Sequence, residues 1–414
     1  MMLLDQFPLA RRAQKTPPSA VREILKVTER PDVISFAGGL PAPEVFPATE
    51  LGEAFARVFA ESGRDAMQYG TTEGFLPLRA QIAARLSRFG RPVAPEDLVI
   101  THGSQQALDL VSRVVLDAGD PVLVESPSYL AAIQVFGAME AKISTVECDH
   151  DGVIPEALER AFRREKPKLL YLNPDFQNPS GARLSLARRY EVLALAERYG
   201  VPILEDDPYG ELSYDGPRLP PLYTLDRAGV VIYMSTFSKT LAPGLRLGWV
   251  VAPRTFLRAV AVAKQAADLH TSTISQRAAH ALLERFDYEG HLNRIRSVYG
   301  ARALAMAEAI ERYFPASSRF TRPRGGLFLW VELDERVPID TLFTRALEAK
   351  VAFVPGHPFF VNPPRTPFMR LNYSHRPEAV IREGIERLGR TLEGLLADTE
   401  ALTPAPAARL SATL

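Results

Sequence analysis

The stretch "STFSKTLAPGLRLGWV", Ser235–Val250, decides how this chain is read. It carries one lysine, Lys239, beside two hydroxyl side chains, Thr236 and Ser238. A glycine-punctuated loop follows, ending in Arg246, and the apolar run "GVVIYM" precedes it. An apolar run ahead of such a loop predicts a buried strand that delivers Lys239 to its carboxyl end. A lysine in a cationic or apolar setting loses proton affinity and becomes a nucleophilic amine able to form a Schiff base. The neighbouring hydroxyls and Arg246 are the donors that bind a phosphate.

Outward from this stretch, short apolar runs alternate with helical patterns. "DLVITHGSQQALDLVSRVV" reads as strand, turn and helix. "PVLVES", "KISTVE", "KLLYLNP", "VPILEDD", "VVIYMST" and "LGWVVA" read as further strands, and "YLAAIQVFGAM" and "LARRYEVLALAERYG" as helices. Continuous apolar strands alternating with helices predict an α/β domain with a mostly parallel sheet covered on both faces. After about residue 290 the pattern changes to a long helix, then "GGLFLWVEL", "VAFVPG" and "FMRLNYS", and a last helix over "PEAVIREGIERLGRTLEGLLA". The expected division is an N-terminal arm over residues 1–50, a large domain over 51–290, a smaller α+β domain over 291–400 that takes in part of the arm, and a loose tail over 401–414.

The bulk composition narrows the function classes. The chain has 414 residues, 46% apolar and 24% charged, with 49 basic residues balancing 49 acidic ones. That balance suggests neither a nucleic-acid partner nor an anionic-membrane surface. One cysteine, Cys148, excludes an internal disulfide and a cysteine-rich metal site, and fits a reducing, cytoplasmic compartment. The apolar start before Asp5 is too short for a secretory signal, and no uncharged run approaches a membrane span. Neither G-x-G-x-x-G nor G-x-x-x-x-G-K-[ST] occurs, which argues against a nucleotide-dependent enzyme.

Ligands of open α/β sheets sit beyond the carboxyl ends of the strands, and four distinctive stretches fall there. In "THGSQQAL", Gly103, Ser104 and Gln105 open a helix whose free N–H groups form an anion site. "FQNPSG" is a turn holding Asn178. "LEDDPYG" ends a strand with three carboxylates, one of which could face a cationic ligand atom. Lys239 completes the set. A phosphate, an aldehyde, a phenolic oxygen and a ring nitrogen seeking a carboxylate together describe pyridoxal 5′-phosphate.

With these motifs in view, the chain resembles the fold-type-I pyridoxal-phosphate-dependent aminotransferases of class I/II. It is most similar to the branch of 2-aminoadipate and kynurenine aminotransferases. The stretches that carry the resemblance include "SAVREILK", "SFAGGLPAPE", "GSQQALDL", "EDDPYGEL", "TFSKTLAPGLRLGW", "KQAADLHT" and "VAFVPGHPFF". The resemblance implies that Lys239 forms the Schiff base and then shuttles a proton. It implies that Asp206, chosen by its D-x-x-Y register with Tyr209, pairs with the ring nitrogen. Asn178 and Tyr209 would bond the phenolic oxygen. Ser104, Gln105, Thr236, Ser238 and Arg246 would hold the phosphate, and Tyr129 would stack on the ring. Tyr69, in "QYGTTEG", would reach the neighbouring subunit's site, which implies a homodimer. Arg370 would clamp the substrate α-carboxylate, and Arg22 would meet a distal carboxylate. Many relatives have serine where Thr236 stands, and the hydroxyl survives the change.

The implied reaction is ping-pong amino transfer between glutamate/2-oxoglutarate and 2-aminoadipate or an aromatic or branched amino acid. A β-lyase or decarboxylase would use the same lysine. A cofactor-sensing transcription regulator would carry an extra basic winged-helix domain ahead of the core, where residues 1–50 are proline-rich and irregular.

Overall fold

The computed structural model describes residues 8–15, 23–24 and 30–402. Its strands are β1 Ile34–Ser35, β2 Leu98–Thr101, β3 Pro121–Ser126, β4 Lys142–Asp149, β5 Gly152–Val153, β6 Leu169–Leu172 and β7 Ile203–Asp206. Then come β8 Val231–Thr236, β9 Gly248–Val251, β10 Arg319–Phe320, β11 Phe328–Glu332, β12 Val351–Ala352, β13 Val354–Pro355 and β14 Phe368–Asn372.

The large sheet has the order β2-β9-β8-β7-β6-β3-β4-β5. Strands β8, β7, β6, β3 and β4 run parallel, and β9 runs antiparallel to both β8 and β2. The mostly parallel sheet is as the apolar runs predict. The direction of β9 follows from chain length. Only residues 237–247 join β8 to β9, and a parallel return needs a crossover of about a dozen residues or more. The loop that carries Lys239 is thus a short connection between antiparallel neighbours.

Alternate residues of each strand go to opposite faces. Val122, Val124, Leu169 and Tyr171 join Leu108, Val111 and Phe136 from the helices Ser104–Val115 and Leu130–Ala138. Leu123, Leu170 and Leu172 join Leu158, Phe162 and Val192 from the helices Pro155–Glu165 and Leu186–Tyr199. Each such buried side chain contributes about 1.5–3 kcal/mol, and burial on both faces is why these strands are continuously apolar. The helix Leu186–Tyr199 shows how local sequence sets the limits: the Ser185 hydroxyl accepts the Arg188 N–H at its start, and Gly200 ends it at φ 64°.

A third core lies around the sheet β10-β11-β14-β13, where the helix Tyr288–Tyr313 packs against the helix Glu378–Leu402. The N-terminal segment enters this core through Phe36, Ala42 and Val45. The run "VAFVPG" divides into two short strands. β12 pairs with β1 from the N-terminal segment, while β13 pairs with β14. Beyond β1 the chain is strapped down: Asn372 N–H donates to Phe36 O at 2.8 Å, Ser374 Oγ to Leu40 O at 2.7 Å and Ala42 N–H to the Tyr299 hydroxyl at 2.9 Å. This strap presents two carbonyls to the site, Ala37 O to Arg370 and Gly39 O to Lys239. The tail 403–414 and most of "SAVREILKVT" lie outside the described residues.

Candidate active site

A cavity of about 600 Å³ opens between the carboxyl ends of β6, β7 and β8 and the small sheet. It is lined by Ser104, Gln105, Tyr129, Asn178, Asp206, Tyr209, Thr236, Ser238, Lys239, Arg246 and Arg370. Stretches far apart in the chain therefore converge on one space, at the strand ends where an open α/β sheet binds ligands.

Lys239 stands on the short 3-10 turn Phe237–Lys239 that follows β8. Its Nζ donates to Gly39 O at 2.8 Å. Desolvation in the cavity wall lowers its proton affinity to about 8, and the positive charges of Arg370 and Arg246 act in the same direction. A neutral amine is therefore accessible near neutral pH.

The three carboxylates of "LEDD" take separate roles. Glu205 accepts the backbone N–H groups of Leu222 and Tyr223 at 2.7 and 2.8 Å. Asp207 pairs with Arg218 and accepts the Tyr233 hydroxyl at 3.0 Å and Gly210 N–H at 2.8 Å. Both are saturated within the protein. Asp206 is different: Oδ2 accepts the Tyr171 hydroxyl at 2.7 Å, while Oδ1 is buried without a partner among the described residues. Burial raises Asp206 to about 7, the Tyr171 bond opposes this, and the Asp207 charge adds to it. A buried carboxylate oxygen with no donor is costly, and a cationic N–H in the cavity would satisfy it.

The second feature is an anion cradle. Gly103 caps the helix Ser104–Val115 at φ 76°, and a Cβ there would stand 2.7 Å from Arg246 Nη2. A Cβ on Gly248 would stand 2.5 Å from the Gly103 carbonyl carbon and 2.6 Å from Ser104 N. Both glycines let backbone and guanidinium approach one another where any other residue would intrude. Arg246, itself at φ 53°, reaches toward His102 O at 3.4 Å. Thr236 Oγ1 lies 2.8 Å from Ser238 Oγ and 2.8 Å from Leu247 O, so the two hydroxyls are fixed beside the guanidinium's loop. Helix N–H groups, hydroxyls and an arginine together form an anion site.

On the small-sheet side, Arg370 projects from β14. Its Nη1 donates to Asn178 Oδ1 at 2.8 Å and Nη2 to Ala37 O at 2.7 Å. Its Nε is buried and unpartnered among the described residues, and desolvation lowers its proton affinity to about 10. Phe328 and Phe359 face the guanidinium at 4.3 and 4.9 Å from their ring centres. Asn178 is held by its backbone N–H, which donates to Asn173 Oδ1 at 2.8 Å, and Asn173 Nδ2 in turn donates to Asp206 O at 2.7 Å. Burial pushes the Tyr209 phenol up, against the pull of the nearby Arg370 charge.

Of the predicted residues, one stands apart from the cavity of its own chain and another cannot be placed against it. Tyr69 is 77% exposed and meets His270 edge-to-face at 5.7 Å, on the outer surface of this chain. Arg22 lies outside the described residues. Several contributors escape the sequence reading. Gly39, Asn173, Phe328 and Phe359 line the cavity, and Tyr171 reaches it through Asp206. Tyr171 sits in a run that reads only as one more buried strand, and its phenol is the local signal that something polar must lie opposite it.

The sequence profile of the family described as aminotransferase class I and II matches residues 31–388. A 2-aminoadipate transaminase of Thermus thermophilus is 47% identical over 92% of this chain and 95% of its own length. An aromatic-amino-acid aminotransferase of Thermococcus litoralis is 42% identical over 91% of each. The crystal structure of an α-aminoadipate aminotransferase from Thermus thermophilus, complexed with N-(5′-phosphopyridoxyl)-L-leucine, superposes with a TM-score of 0.89 at 44% identity. It covers 96% of this chain and 100% of that one. The chain belongs to the class I and II aminotransferases. It is a pyridoxal-5′-phosphate-dependent transaminase of fold type I, and the cavity fits that cofactor: an orphaned buried carboxylate oxygen, a glycine-walled anion cradle and a lysine of lowered proton affinity share its wall.

Proposed function

We propose that this enzyme transfers an amino group, by a ping-pong mechanism, between glutamate/2-oxoglutarate and a second amino acid, with 2-aminoadipate the leading candidate and aromatic or branched donors the alternatives. The observation that carries the site reading is the buried Asp206 Oδ1, unpartnered in the wall that Lys239 and Arg370 also line. The amino donor is drawn from the relatives' substrates.

Pyridoxal 5′-phosphate, when bound, supplies an aldehyde and an electron-withdrawing ring. Asp206 would hold its ring nitrogen, and Asn178 and Tyr209 its phenolic oxygen. Ser104 and Gln105, with the Gly103 turn, would join Thr236, Ser238 and Arg246 to bind its phosphate, and Tyr129, in the same cavity wall, would pack against its ring. Arg370 clamps the substrate α-carboxylate, exchanging its bonds to Asn178 and Ala37 O for that anion. Lys239, near 8 rather than the ordinary lysine value, takes the proton from the substrate Cα as its neutral amine and returns it on the other side of the exchange. Phe328 and Phe359 keep water from the guanidinium, which strengthens its hold on the carboxylate.

The exposed Tyr69 supports a homodimer with shared sites, in which the partner subunit's Tyr69 completes the phosphate cradle. The single cysteine supports a cytoplasmic location. Among the described residues no helix is long and apolar enough to cross a membrane. Arg22 is assigned the distal carboxylate of a dicarboxylic donor. The test is a panel of amino donors against 2-oxoglutarate, repeated with Arg22→Ala. Selective loss of 2-aminoadipate turnover by about tenfold or more, the order one charge-assisted bond is worth, supports the assignment. An equal loss on all donors removes it.

A further inference from the structure

The part of the site that the family motifs leave unexplained lies behind Asp206. Tyr171 is on β6, the strand beside β7 in the sheet, and is fully buried. Its hydroxyl donates to Asp206 Oδ2 at 2.7 Å. No other side chain among the described residues donates to that carboxylate, whose Oδ1 is left bare. The tyrosine ring is fixed in turn by Phe136, edge-to-face at 5.8 Å, from the helix Leu130–Ala138.

We propose that Tyr171 is a positioning residue for transamination: its hydroxyl occupies Asp206 Oδ2, so that Oδ1 alone faces the cavity as the acceptor for the cofactor's ring nitrogen. The inference rests on the reading of Asp206 as that acceptor. A carboxylate free to rotate about its last bond would present either oxygen. A short bond from a phenol held between β6 and a helix removes that freedom.

The bond also bears on charge. Among the described residues no cation is paired with Asp206. Asp207 adjoins it, Glu125 faces it from β3, Tyr171 from β6, and the phenol of Tyr209 stands at the strand end. Burial favours the protonated acid, and Tyr171 is the group that opposes it. An acid at Asp206 would lack the negative charge that holds a protonated ring nitrogen, and the Tyr171 bond opposes that protonation. Removing the donor raises the proton affinity of Asp206. The ionised form is then reached at higher pH, and the acid limb of the rate profile moves up.

The test uses holoenzyme of the wild type, Tyr171→Phe, Asp206→Asn and the double variant. Phenylalanine keeps the ring and its contact with Phe136. Two quantities are read across the acid and neutral range: kcat, and the cofactor dissociation constant from absorbance after dialysis. For Tyr171→Phe the acid limb of kcat moves to higher pH by about one unit, and cofactor affinity falls about tenfold on the acid side, the order one bond to a charged acceptor is worth. Affinity recovers toward the wild-type value on the alkaline side, and the double variant is no worse than Asp206→Asn. A pH dependence superimposable on wild type overturns the proposal, and so does a loss of the same factor at every pH. If Asp206→Asn itself leaves kcat and affinity unchanged, the Asp206 reading fails and Tyr171 falls with it. If Asp206→Asn is impaired and Tyr171→Phe is not shifted, only the Tyr171 inference falls.

Discussion

At the scale of single residues, the chemistry turns on how far the protein moves the proton affinities of Lys239 and Asp206. Lys239 is lowered to about 8 by desolvation and two arginines. Because the neutral amine is the reactive form, the rate at which apoprotein captures pyridoxal 5′-phosphate should rise with pH up to about 8 and then level off. Stopped-flow absorbance reads this directly, and a rate still climbing where an ordinary lysine titrates would refute the lowered affinity. The residues in this account were legible to different degrees. Lys239, Arg246 and the Asp206–Tyr209 register sit in local motifs with strong chemistry, so the sequence shows them. The sorting of Glu205, Asp206 and Asp207 depends on Leu222, Tyr223 and Arg218, which the fold brings from further along the chain. Tyr171 was invisible because a buried tyrosine in an apolar run looks like core until its partner is known.

At the scale of elements, the close approach of β9 to the N-terminus of the helix Ser104–Val115 is what shapes the anion cradle. In Gly248→Ala the new Cβ would meet backbone of Gly103 and Ser104, neither of which can swing aside. The loss of stability should be about 1–3 kcal/mol, as for overpacking in a tight core, with weaker phosphate binding. Gly103→Ala should lose about 1–3 kcal/mol from a backbone at φ 76° and ψ 168° that only glycine adopts readily and in addition push on Arg246. Thermal melts with and without pyridoxal 5′-phosphate check both: the gap between apo and holo midpoints should shrink in each variant. An undiminished gap would show that the cradle tolerates a side chain. The strand and helix pattern was readable from apolar periodicity, since two covered faces require unbroken apolar strands. The splitting of "VAFVPG" was not, because β12 is defined by β1, which comes from the opposite end of the sequence.

At the scale of the whole molecule, Tyr69 is not part of the wall of its own chain's active-site cavity and stands 77% exposed. The dimer reading predicts complementation. Tyr69→Phe homodimers should bind the cofactor about tenfold more weakly, the order of one lost bond to a charged group. A hybrid dimer of one Lys239→Ala chain and one Tyr69→Phe chain has one site with both native residues, and that site should regain wild-type cofactor affinity. A hybrid no better than the Tyr69→Phe homodimer would place Tyr69 outside the partner's site. The α/β plan, a mostly parallel sheet covered on both faces, was legible in the apolar runs, whereas the reach of Tyr69 to a partner came from the family resemblance alone, because in one chain a surface that assembly would cover looks like any other surface.

The central claim is that the cavity binds pyridoxal 5′-phosphate through one lysine. Borohydride reduction of the holoenzyme, followed by digestion and peptide mass spectrometry, tests it most directly. The account predicts a phosphopyridoxyl group on the peptide containing Lys239 and on no other lysine, with none on the Lys239→Ala variant. A tag on a different lysine, or an untagged Lys239 in catalytically active protein, would contradict it.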